Sequence, residues 1–488
     1  MTFDSHNLFD DFELSGFWWL PTNPDNQVPG VLRYNAGDRM TLELFGSLQA
    51  WSDASHGDSD TDIILGLAEG TRILTLQKLI RTNATSTGSD KVYRSSYIAH
   101  RLFEGKHFAS AEDIKFSSIS ISYTSLEDWV TDCPYNPTDE ADTFTETMKF
   151  TVSHVVPYPL FESRIASLNS KICGALRFEH SIGIRTLNWE STGYIEIIPD
   201  EPASFEWFWQ VHSDIRNLLT LFMNEPTYAK KIEAAGISVE VSPDRVVRER
   251  IYVYVLNSLG ASKREMHPAD MLLIFPTIKD IFPKILDGWF SKAEALRPVH
   301  TLFFGSMYFS SMFPRFHFLN LIQAVETYHR DMRAGEYLSK TEFEPIRQVI
   351  VQAIPEGVPR DFRDSLKNKI GFGYEYALRK RIHGLLKELE DQTVQLLTKN
   401  VNDFVGSMVD TRNYFTHYPP ELKKTAFSGD GLHYANYKLR VLLIILLLKE
   451  AGLEETLIRK AICGNNELVY GLSEGRGGKA FRSEHCQK

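Results

Sequence analysis

The chain has 488 residues, which exceeds the roughly 250 to 300 residues at which a single hydrophobic core stops growing, so two or three domains are expected. Its 43% hydrophobic and 24% charged residues are typical of a folded globular protein and exclude a disordered one. The net charge of -10 argues against a protein that coats nucleic acid along its whole length.

The first part of the chain consists mainly of short β-branched and aromatic runs separated by turn signals. Such spacing predicts a β-sandwich or a barrel-like body. The polar segment 131–146 is predicted as a surface loop. One helix is predicted at 205–225, and the predicted strands are 12–21, 31–48 with a tight turn at NAGD, 61–68, 91–108, 114–126, 148–156, 172–181, 193–199 and 237–243.

Near residue 275 the hydrophobic period changes from two residues to about 3.6, the period of a helix. Amphipathic segments joined by short polar loops predict a helical bundle. The predicted helices are 318–333, 341–354, 359–370, 377–397, 400–418, 433–452 and 454–462. Residues 466–488, which end in GLSEGRGGKAFRSEHCQK, have the composition of a flexible tail.

The expected fold class is therefore an α+β multidomain protein. We expect a β-rich regulatory or sensor domain at 1–275, a helical connection at 276–304 and an all-α bundle at 305–465. Charge divides in a similar way. Residues 1–300 carry 27 Lys and Arg against 41 Asp and Glu, whereas residues 301–488 carry 26 against 22, so the two parts are expected to face different partners.

The sequence predicts a cytoplasmic protein without a membrane span. The N-terminus MTFDSHNLFDDFELSG has neither the basic nor the apolar region of a secretory signal. The apolar run at 441–448 is far shorter than the roughly 20 residues that span a bilayer, so a buried helix is expected. The four cysteines show no CxxC or zinc spacing, which fits reduced structural thiols in a cytoplasm.

An arginine followed closely by a histidine is the motif that carries chemistry. Three such pairs occur, about as many as chance gives: Arg94 with His100, Arg101 with His107, and Arg412 with His417. The first two lie in a predicted strand, where a structural histidine is the usual case. The third pair ends an amphipathic helix in the basic part, just before Pro419 and Pro420.

Arg412 and His417 together suit phosphodiester cleavage. Imidazole moves protons readily at neutral pH, and a guanidinium binds phosphate bidentately. No carboxylate cluster or metal-ligand spacing accompanies them, so neither a metal nor a cofactor is expected. RNA is the substrate on which metal-independent cleavage works, because its own 2′-hydroxyl attacks the adjacent phosphate.

The segment RNYFTH, residues 412–417, matches the R-x4-H signature of HEPN ribonucleases, and Asn413 is the polar residue that this family favours after the arginine. Together with FLNLIQAVETYHR and KLRVLLIILLLKEAG, it resembles the HEPN domain of ApeA-type anti-phage nucleases. The N-terminal segments LSGFWWLP, PGVLRY, MTLELFGSL, LFEGKHF and LEDW are similar to the β-rich domain that precedes HEPN in that family. The resemblance covers roughly residues 10 to 455.

The resemblance implies a composite catalytic site. HEPN domains dimerise, so Arg412, Asn413 and His417 from two chains would line one cleft in a homodimer or a higher homo-oligomer. It also implies phage defence by abortive infection, in which cleavage of host RNA halts translation. Several HEPN nucleases attack tRNA anticodon loops, so tRNA is the leading substrate. A phage-derived trigger would be sensed by the N-terminal domain.

Other polar residues have weaker functional interpretations. Glu326 and His329 form an E-x-x-H pair, for which a polar helix face is favoured over a metal site because no second such pair is apparent. Glu326 is alternatively expected to orient Arg412. The residues considered for contact with RNA phosphates are Lys423 and Lys424 just past the prolines, and Arg379 and Arg381 in the predicted helix 377–397.

Two other classes of function stay open at this point. HEPN-like bundles also serve as non-catalytic dimerisation or nucleotide-binding modules, and the intact Arg412, Asn413 and His417 favour the enzyme over them. The aromatic-rich β part suggests, less strongly, a carbohydrate-active protein, although most tryptophans in β-sandwiches belong to the core. No compelling pair of carboxylates supports that alternative.

Overall fold

The computed structural model describes residues 6–48, 61–87, 92–131, 136–142, 147–153, 158–182, 185–236, 239–242, 245–247, 249–256, 266–309, 311–333, 335–475 and 477–486. These residues form two compact units, 1–290 and 291–488. The first unit is β-rich and the second is helical, so the predicted α+β class is confirmed. The functional domain boundaries given above stay a prediction.

The strands of the first unit follow one another in chain order, interrupted by two helices. The strands are β1 Phe12–Leu20, β2 Asn23–Tyr34, β3 Met40–Leu44, β4 Thr61–Ala68, β5 Arg72–Thr87, β6 Val92–Glu104, β7 Lys115–Phe116, β8 Ser118–Tyr123, β9 Asn136–Asp142, β10 Thr147–Ser153, β11 Tyr158–Ile165, β12 Ser170–Ile182, β13 Leu187–Pro199, β14 Ala203–Ser204, β15 Ala229–Ala235, β16 Val239–Ser242, β17 Arg245–Val247 and β18 Arg250–Val255. The helices are α1 Leu126–Val130 and α2 Phe205–Met223.

Twelve of these strands form one antiparallel sheet in the order β11-β12-β13-β8-β15-β18-β6-β3-β2-β1-β4-β5. A further pairing of β5 with β6 closes the last six strands into a barrel. β6 makes this possible because its two halves differ. Its first half pairs with β3, its second half pairs with β18, and its other edge pairs with β5 throughout.

α2 packs on the sheet through its aromatic residues. Phe205 contacts Phe103 of β6 with ring centroids 5.6 Å apart, and the hydroxyl of Tyr123 in β8 lies 2.9 Å from Nδ1 of His212. Ser204 begins the helix by accepting a hydrogen bond from the backbone N–H of Trp207. These contacts bury one side of the helix, which places the side chain of Trp209 beside the barrel strands.

The second unit consists of helices joined by short loops. The short helix α3 Phe275–Ile278 still lies in the first unit, and α4 Phe282–Tyr308 begins there and continues into the second. The helices that follow are α5 Pro314–Met332, α6 Lys340–Gln352, α7 Arg360–Gly371, α8 Leu378–Lys387, α9 Asp391–Leu397, α10 Val401–His417, α11 Gly429–Glu450, α12 Glu455–Gly464, α13 Asn466–Leu472 and α14 Gly478–His485. α5 packs against α8, α10 and α11, and this group forms the core of the bundle.

α11 is the central helix of that core. Residues 441–448 are all buried, which confirms the predicted buried helix. Among the described residues, α11 is the one helix with the length and apolarity of a membrane span, and 67% of its most apolar window is buried inside the protein. Glu450 near its end accepts a hydrogen bond from the Tyr328 hydroxyl at 2.6 Å and one from Lys292 at 2.5 Å. These bonds pin α11 to α5 and α4.

Several predicted elements differ from the structure. The predicted loop 131–146 contains β9, with 132–135 and 143–146 outside the described residues. β5 was not predicted, because its apolar run ILTLQKLI lacks clean alternation. The strand predicted to begin at residue 31 begins at Asn23 in β2, and the predicted helix 377–397 breaks at residues 388–390 into α8 and α9. The NAGD turn is confirmed, since the N–H of Asn35 donates to the carbonyl of Arg39.

The C-terminal segment also differs from its expectation. Composition predicted a flexible tail at 466–488, whereas the structure has α13 and α14 there, with Leu468, Val469 and Phe481 buried. Cys463 and Cys486 form a disulfide with Cα atoms 5.8 Å apart, in place of the expected reduced thiols. Cys173 is free, and Cys133 lies outside the described residues.

Candidate active site

α10 is the helix that carries the proposed catalytic residues. Asn400 caps its N-terminus, where Oδ1 accepts hydrogen bonds from the backbone N–H groups of Asn402 and Asp403. Its C-terminus is set by Tyr418, which adopts the left-handed conformation at φ 52° and donates its N–H to the carbonyl of Tyr414. Pro419 then prevents further helix. His417 is therefore the last helical residue.

The three predicted catalytic residues lie on the last two turns of α10. Arg412 and Asn413 are half-buried, and His417 is exposed. Nη1 of Arg412 donates a hydrogen bond to Oδ1 of Asn413 at 3.1 Å. An exposed imidazole thus ends the helix, and a partly desolvated guanidinium is held on the turn before it.

The helix itself separates Arg412 from His417. Because an α-helix turns by about 100° per residue, side chains five positions apart leave it about 140° apart around the axis. Asn413 lies four positions before His417, so the side chains of these two residues leave the helix only about 40° apart around its axis. The hydrogen bond to Asn413 consequently draws the guanidinium of Arg412 toward the face of α10 that carries His417.

Thr411 connects this helix to the basic loop that follows. Its buried Oγ1 donates to the carbonyl of Ser407 at 2.6 Å and accepts from the backbone N–H of Phe427 at 2.8 Å. Between these anchors lies the 3-10 turn Pro420–Lys424. Lys423 and Lys424 are exposed on this turn, so both ammonium groups are available to an anionic ligand.

Arg379 of α8 flanks the same face of α10. Its Nη2 lies 4.0 Å from Oδ1 of Asp410. Its Nη1 packs close to Gly406, only 3.4 Å from where a Cβ atom at that residue would be. Asp410 and His417 are seven residues apart, so they share a face of α10. The Arg379 side chain is 52% exposed, which leaves it free to contact a ligand on that face.

Arg381 does not fit the role of a surface phosphate contact. It is buried at 1% exposure, its Nε donates to the carbonyl of Tyr376 at 2.9 Å, and Nη1 lies 3.3 Å from Nδ1 of His329. Nη2 lies 3.4 Å from a carboxylate oxygen of Glu375. The side chain is committed to holding the segment before α8 in place.

Glu326 and His329 do not form the metal site that E-x-x-H spacing permits. Glu326 pairs with Arg330 one helical turn away at 3.5 Å, and among the described residues no hydrogen bond or ion pair joins it to Arg412. His329 is buried beside Arg381, and burial, followed by that positive charge, lowers its pKa. Among the described residues, no group of three or more His, Cys, Asp or Glu side chains could hold a metal ion.

Some residues of the site were not predicted from the sequence. Thr411 orders the basic loop and Asp410 places Arg379 against α10. The spacing of seven residues between Asp410 and His417 was a usable signal, because it places both on one helix face. No sequence signal linked Thr411 to Phe427, since that hydrogen bond depends on the path of the loop.

Comparison with known families agrees with both units. The model described as ApeA N-terminal domain 1 matches residues 13–289, and the model described as Apea-like HEPN matches residues 319–457. The chain belongs to the ApeA-type HEPN family. The predicted resemblance is thereby confirmed, and the family is one of anti-phage HEPN nucleases. No curated protein and no solved structure showed a significant match.

In the ApeA-type chain, the HEPN match includes the whole of α10 and α11. HEPN domains are generally ribonucleases that bind RNA and function as dimers. The match therefore places Arg412, Asn413 and His417 within a domain of that general kind.

Proposed function

We propose that this protein is a metal-independent RNA endonuclease whose reacting groups are Arg412 and His417, with Asn413 as a positioning residue. The observation that carries the proposal is the placement of an exposed histidine at the end of α10, with an arginine drawn toward it by Asn413. Proton transfer and phosphate binding are the two functions that RNA cleavage needs when the 2′-hydroxyl is the nucleophile.

In the proposed reaction, the 2′-oxygen forms a bond to the adjacent phosphorus and the bond from phosphorus to the 5′-oxygen breaks. One histidine takes the proton of the 2′-hydroxyl, and a protonated histidine gives a proton to the departing 5′-oxygen. Arg412 stabilises the additional negative charge on the phosphoryl oxygens. The products are a 2′,3′-cyclic phosphate and a 5′-hydroxyl end.

The need for two proton-transferring groups favours a site built from two chains. Each chain supplies His417 at one end of α10, and a second copy would bring a second imidazole to the same phosphate. We therefore propose a homodimer.

The basic groups around α10 suggest how RNA binds. Three basic residues lie next to the proposed catalytic helix: Lys423 and Lys424 on the loop that follows it, and Arg379 beside Asp410. Single-stranded loops expose backbone that a duplex hides, so we propose a loop substrate, with tRNA as the leading candidate. In the cytoplasm, cleavage of host RNA after a phage-derived trigger would halt translation.

The test incubates purified protein with total cellular RNA in EDTA and determines the chemistry of the product ends. We expect fragments with 2′,3′-cyclic phosphate ends from the wild type and none from Arg412→Ala or His417→Ala. His433 is exposed on α11 of the same unit, so His433→Ala is the matched control and should cut normally. Cleavage that survives both Arg412→Ala and His417→Ala would exclude the proposed site.

A mixing experiment tests the composite site, and infection tests the biological role. Excess His417→Ala protein should suppress wild-type cleavage if the two form mixed dimers. Cells that express the wild type should restrict phage, and both site variants should lose restriction. Restriction that persists in both variants would favour the non-catalytic interaction protein.

A further inference from the structure

The β-rich unit contains a cleft of about 440 Å³ that is distinct from the proposed nuclease site. This volume lies in the range of small-ligand sites, roughly 300 to 1,000 Å³. β4, β5, β6 and β18 each contribute to its wall, and α2 contributes Trp209. Apolar, cationic, acidic and aromatic side chains all meet there, which is the mixture that orients a small polar ligand.

The cleft lies along one row of the sheet. Ile63 pairs with Gln77 and Thr61 pairs with Leu79, so Asp62 stands beside Lys78. In the same way, the pairs on either side of Lys78 place it beside His100 of β6. Asp62, Lys78 and His100 thus form a lateral row of ionisable side chains across three adjacent strands.

The backbone is strained at the centre of this row. Lys78 has φ of 55° within β5, a left-handed conformation that a lysine rarely adopts inside a strand. Such conformations persist where the surrounding structure enforces them and are concentrated at ligand-binding positions. Here the strained residue carries an ammonium group and lines a cleft.

Two cations at the cleft share one carboxylate. Nη1 of Arg101 donates to Oε1 of Glu206 at 2.6 Å, and Nζ of Lys78 lies 3.3 Å from the same oxygen. The Arg101 side chain is only 11% exposed, and its guanidinium lies 4.6 Å from the ring centroid of Phe205. Glu206 positions both groups, and with Asp62 it gives the cleft two carboxylates beside two cations, so charges of both signs lie next to His100.

The aromatic wall of the cleft is firmly held. Trp209 is half-buried, stacks on Phe205 with centroids 5.7 Å apart, and lies 4.6 Å from the ring of His212. Near it in the lining, Ile80 keeps 50% of its surface exposed. A rigid indole beside an exposed aliphatic side chain suits the flat surface of a nucleobase.

We propose that this cleft binds a mononucleotide. The phosphate would lie at Lys78, Arg101 and His100, and the base would lie against Trp209 and Ile80. Asp62 supplies a carboxylate that accepts hydrogen bonds from ribose hydroxyls or a base amino group. A neutral sugar would use the aromatic and acidic groups but would bring no charge of its own to Lys78 and His100. The β-rich unit thus acquires a small-molecule input, independently of whether α10 cleaves RNA.

Isothermal titration of the full-length protein with AMP, GMP, CMP and UMP tests the proposal. Adenosine and inorganic phosphate are titrated separately as the two halves of the ligand. We expect at least one mononucleotide to bind one per chain, and each half to bind at least tenfold more weakly. If inorganic phosphate bound as tightly as every mononucleotide, the aromatic wall would have no role in binding and the proposal would be wrong.

Lys78→Gly is the decisive variant, because glycine accepts the left-handed backbone while the whole side chain is lost with its ammonium group. The dissociation constant should rise at least tenfold, whereas Lys115→Ala, which changes an exposed lysine on β7, should leave it unchanged. Arg412→Ala should also bind normally, which separates this cleft from the nuclease site. The proposal is wrong if no mononucleotide binds at 1 mM, or if Lys78→Gly binds as tightly as the wild type.

Discussion

Asn413 accepts a hydrogen bond from the guanidinium of Arg412, its immediate neighbour on α10, at 3.1 Å. Removing the Asn413 amide keeps Arg412 in the chain but frees its guanidinium from the face of α10 that carries His417. We expect Asn413→Ala to lower kcat about tenfold, since a hydrogen bond to a charged group contributes about 1.5 kcal/mol. The rate of RNA cleavage at saturating substrate measures this effect.

Asn413→Asp distinguishes positioning from a structural role. The carboxylate keeps the acceptor for Arg412, so most of the activity lost in Asn413→Ala should return. Both variants should melt within a few degrees of the wild type, because Asn413 is only half-buried. Equal activity of the wild type and Asn413→Ala would show that Arg412 needs no such support.

Thr411→Val is expected to loosen the loop that carries Lys423 and Lys424. Valine keeps the shape of threonine but leaves the N–H of Phe427 without its acceptor, which costs about 1 to 3 kcal/mol. The melting temperature should fall, and KM for RNA should rise more than kcat falls. Thr425→Val is the control, because its hydroxyl bonds only to the carbonyl of Leu422 at an exposed position. Unchanged KM in Thr411→Val would remove the lysine loop from substrate binding.

A buried histidine, His300, and a half-buried one, His317, predict an acid-sensitive helical unit. Burial, with a smaller contribution from the charge of Arg297, lowers the pKa of His300 to about 3. Burial and then Arg440 lower the pKa of His317 to about 4. In the unfolded chain these histidines take up protons near pH 6.5, whereas in the folded state they stay neutral to a lower pH. The free energy of unfolding is therefore highest above pH 6.5 and decreases as the pH falls below it. For His300, the free energy of unfolding decreases by about 1.4 kcal/mol for each pH unit between 6.5 and the pKa of the folded state.

Urea unfolding at pH 7.5 and pH 5.5 measures this loss. The wild type should be less stable at pH 5.5, and His317→Gln should show a smaller difference between the two pH values. His433→Asn, at an exposed position, should keep the wild-type difference. A wild type that is equally stable at both pH values would contradict the burial of neutral histidines.

The disulfide between Cys463 and Cys486 is expected to hold α14 on the bundle. It closes a loop of 23 residues, for which the loss of unfolded-state entropy corresponds to about 3 kcal/mol. Reductant should lower the melting temperature and make the C-terminal segment the first to be cut by protease. Cys486→Ser should reproduce both effects, and Cys173→Ser should reproduce neither, because Cys173 is free. Thiol titration without reductant that finds every cysteine free would contradict the pairing.

The sequence predicted the helical unit better than the details of its surface. The run 441–448 is apolar on every side, so burial of α11 was unambiguous. Arg379 and Arg381 were indistinguishable as basic residues, yet one is exposed and the other is buried. Arg381 lies four positions before Leu385, on the apolar face of α8, and this spacing was the available signal.

Long-range contacts explain most of what the sequence did not predict. The barrel closes through the pairing of β5 with β6, and strand partners leave little trace in local periodicity. Composition suggested a flexible C-terminal tail, and composition does not reveal that Phe481 becomes buried. Arg412, Asn413 and His417 were found because they occur together on one short helical segment.

Closure of the barrel also determines where the large sheet could template further strands. In the part of the chain that the structure describes, one end of this sheet closes on itself and the other end is β11. That strand contains Pro159, which has no N–H to offer an incoming strand, and it carries the charged side chains of Glu162 and Arg164. Among the described residues the large sheet thus presents a single, poorly receptive edge, a property that protects a sheet of this size from accumulating in fibrous aggregates.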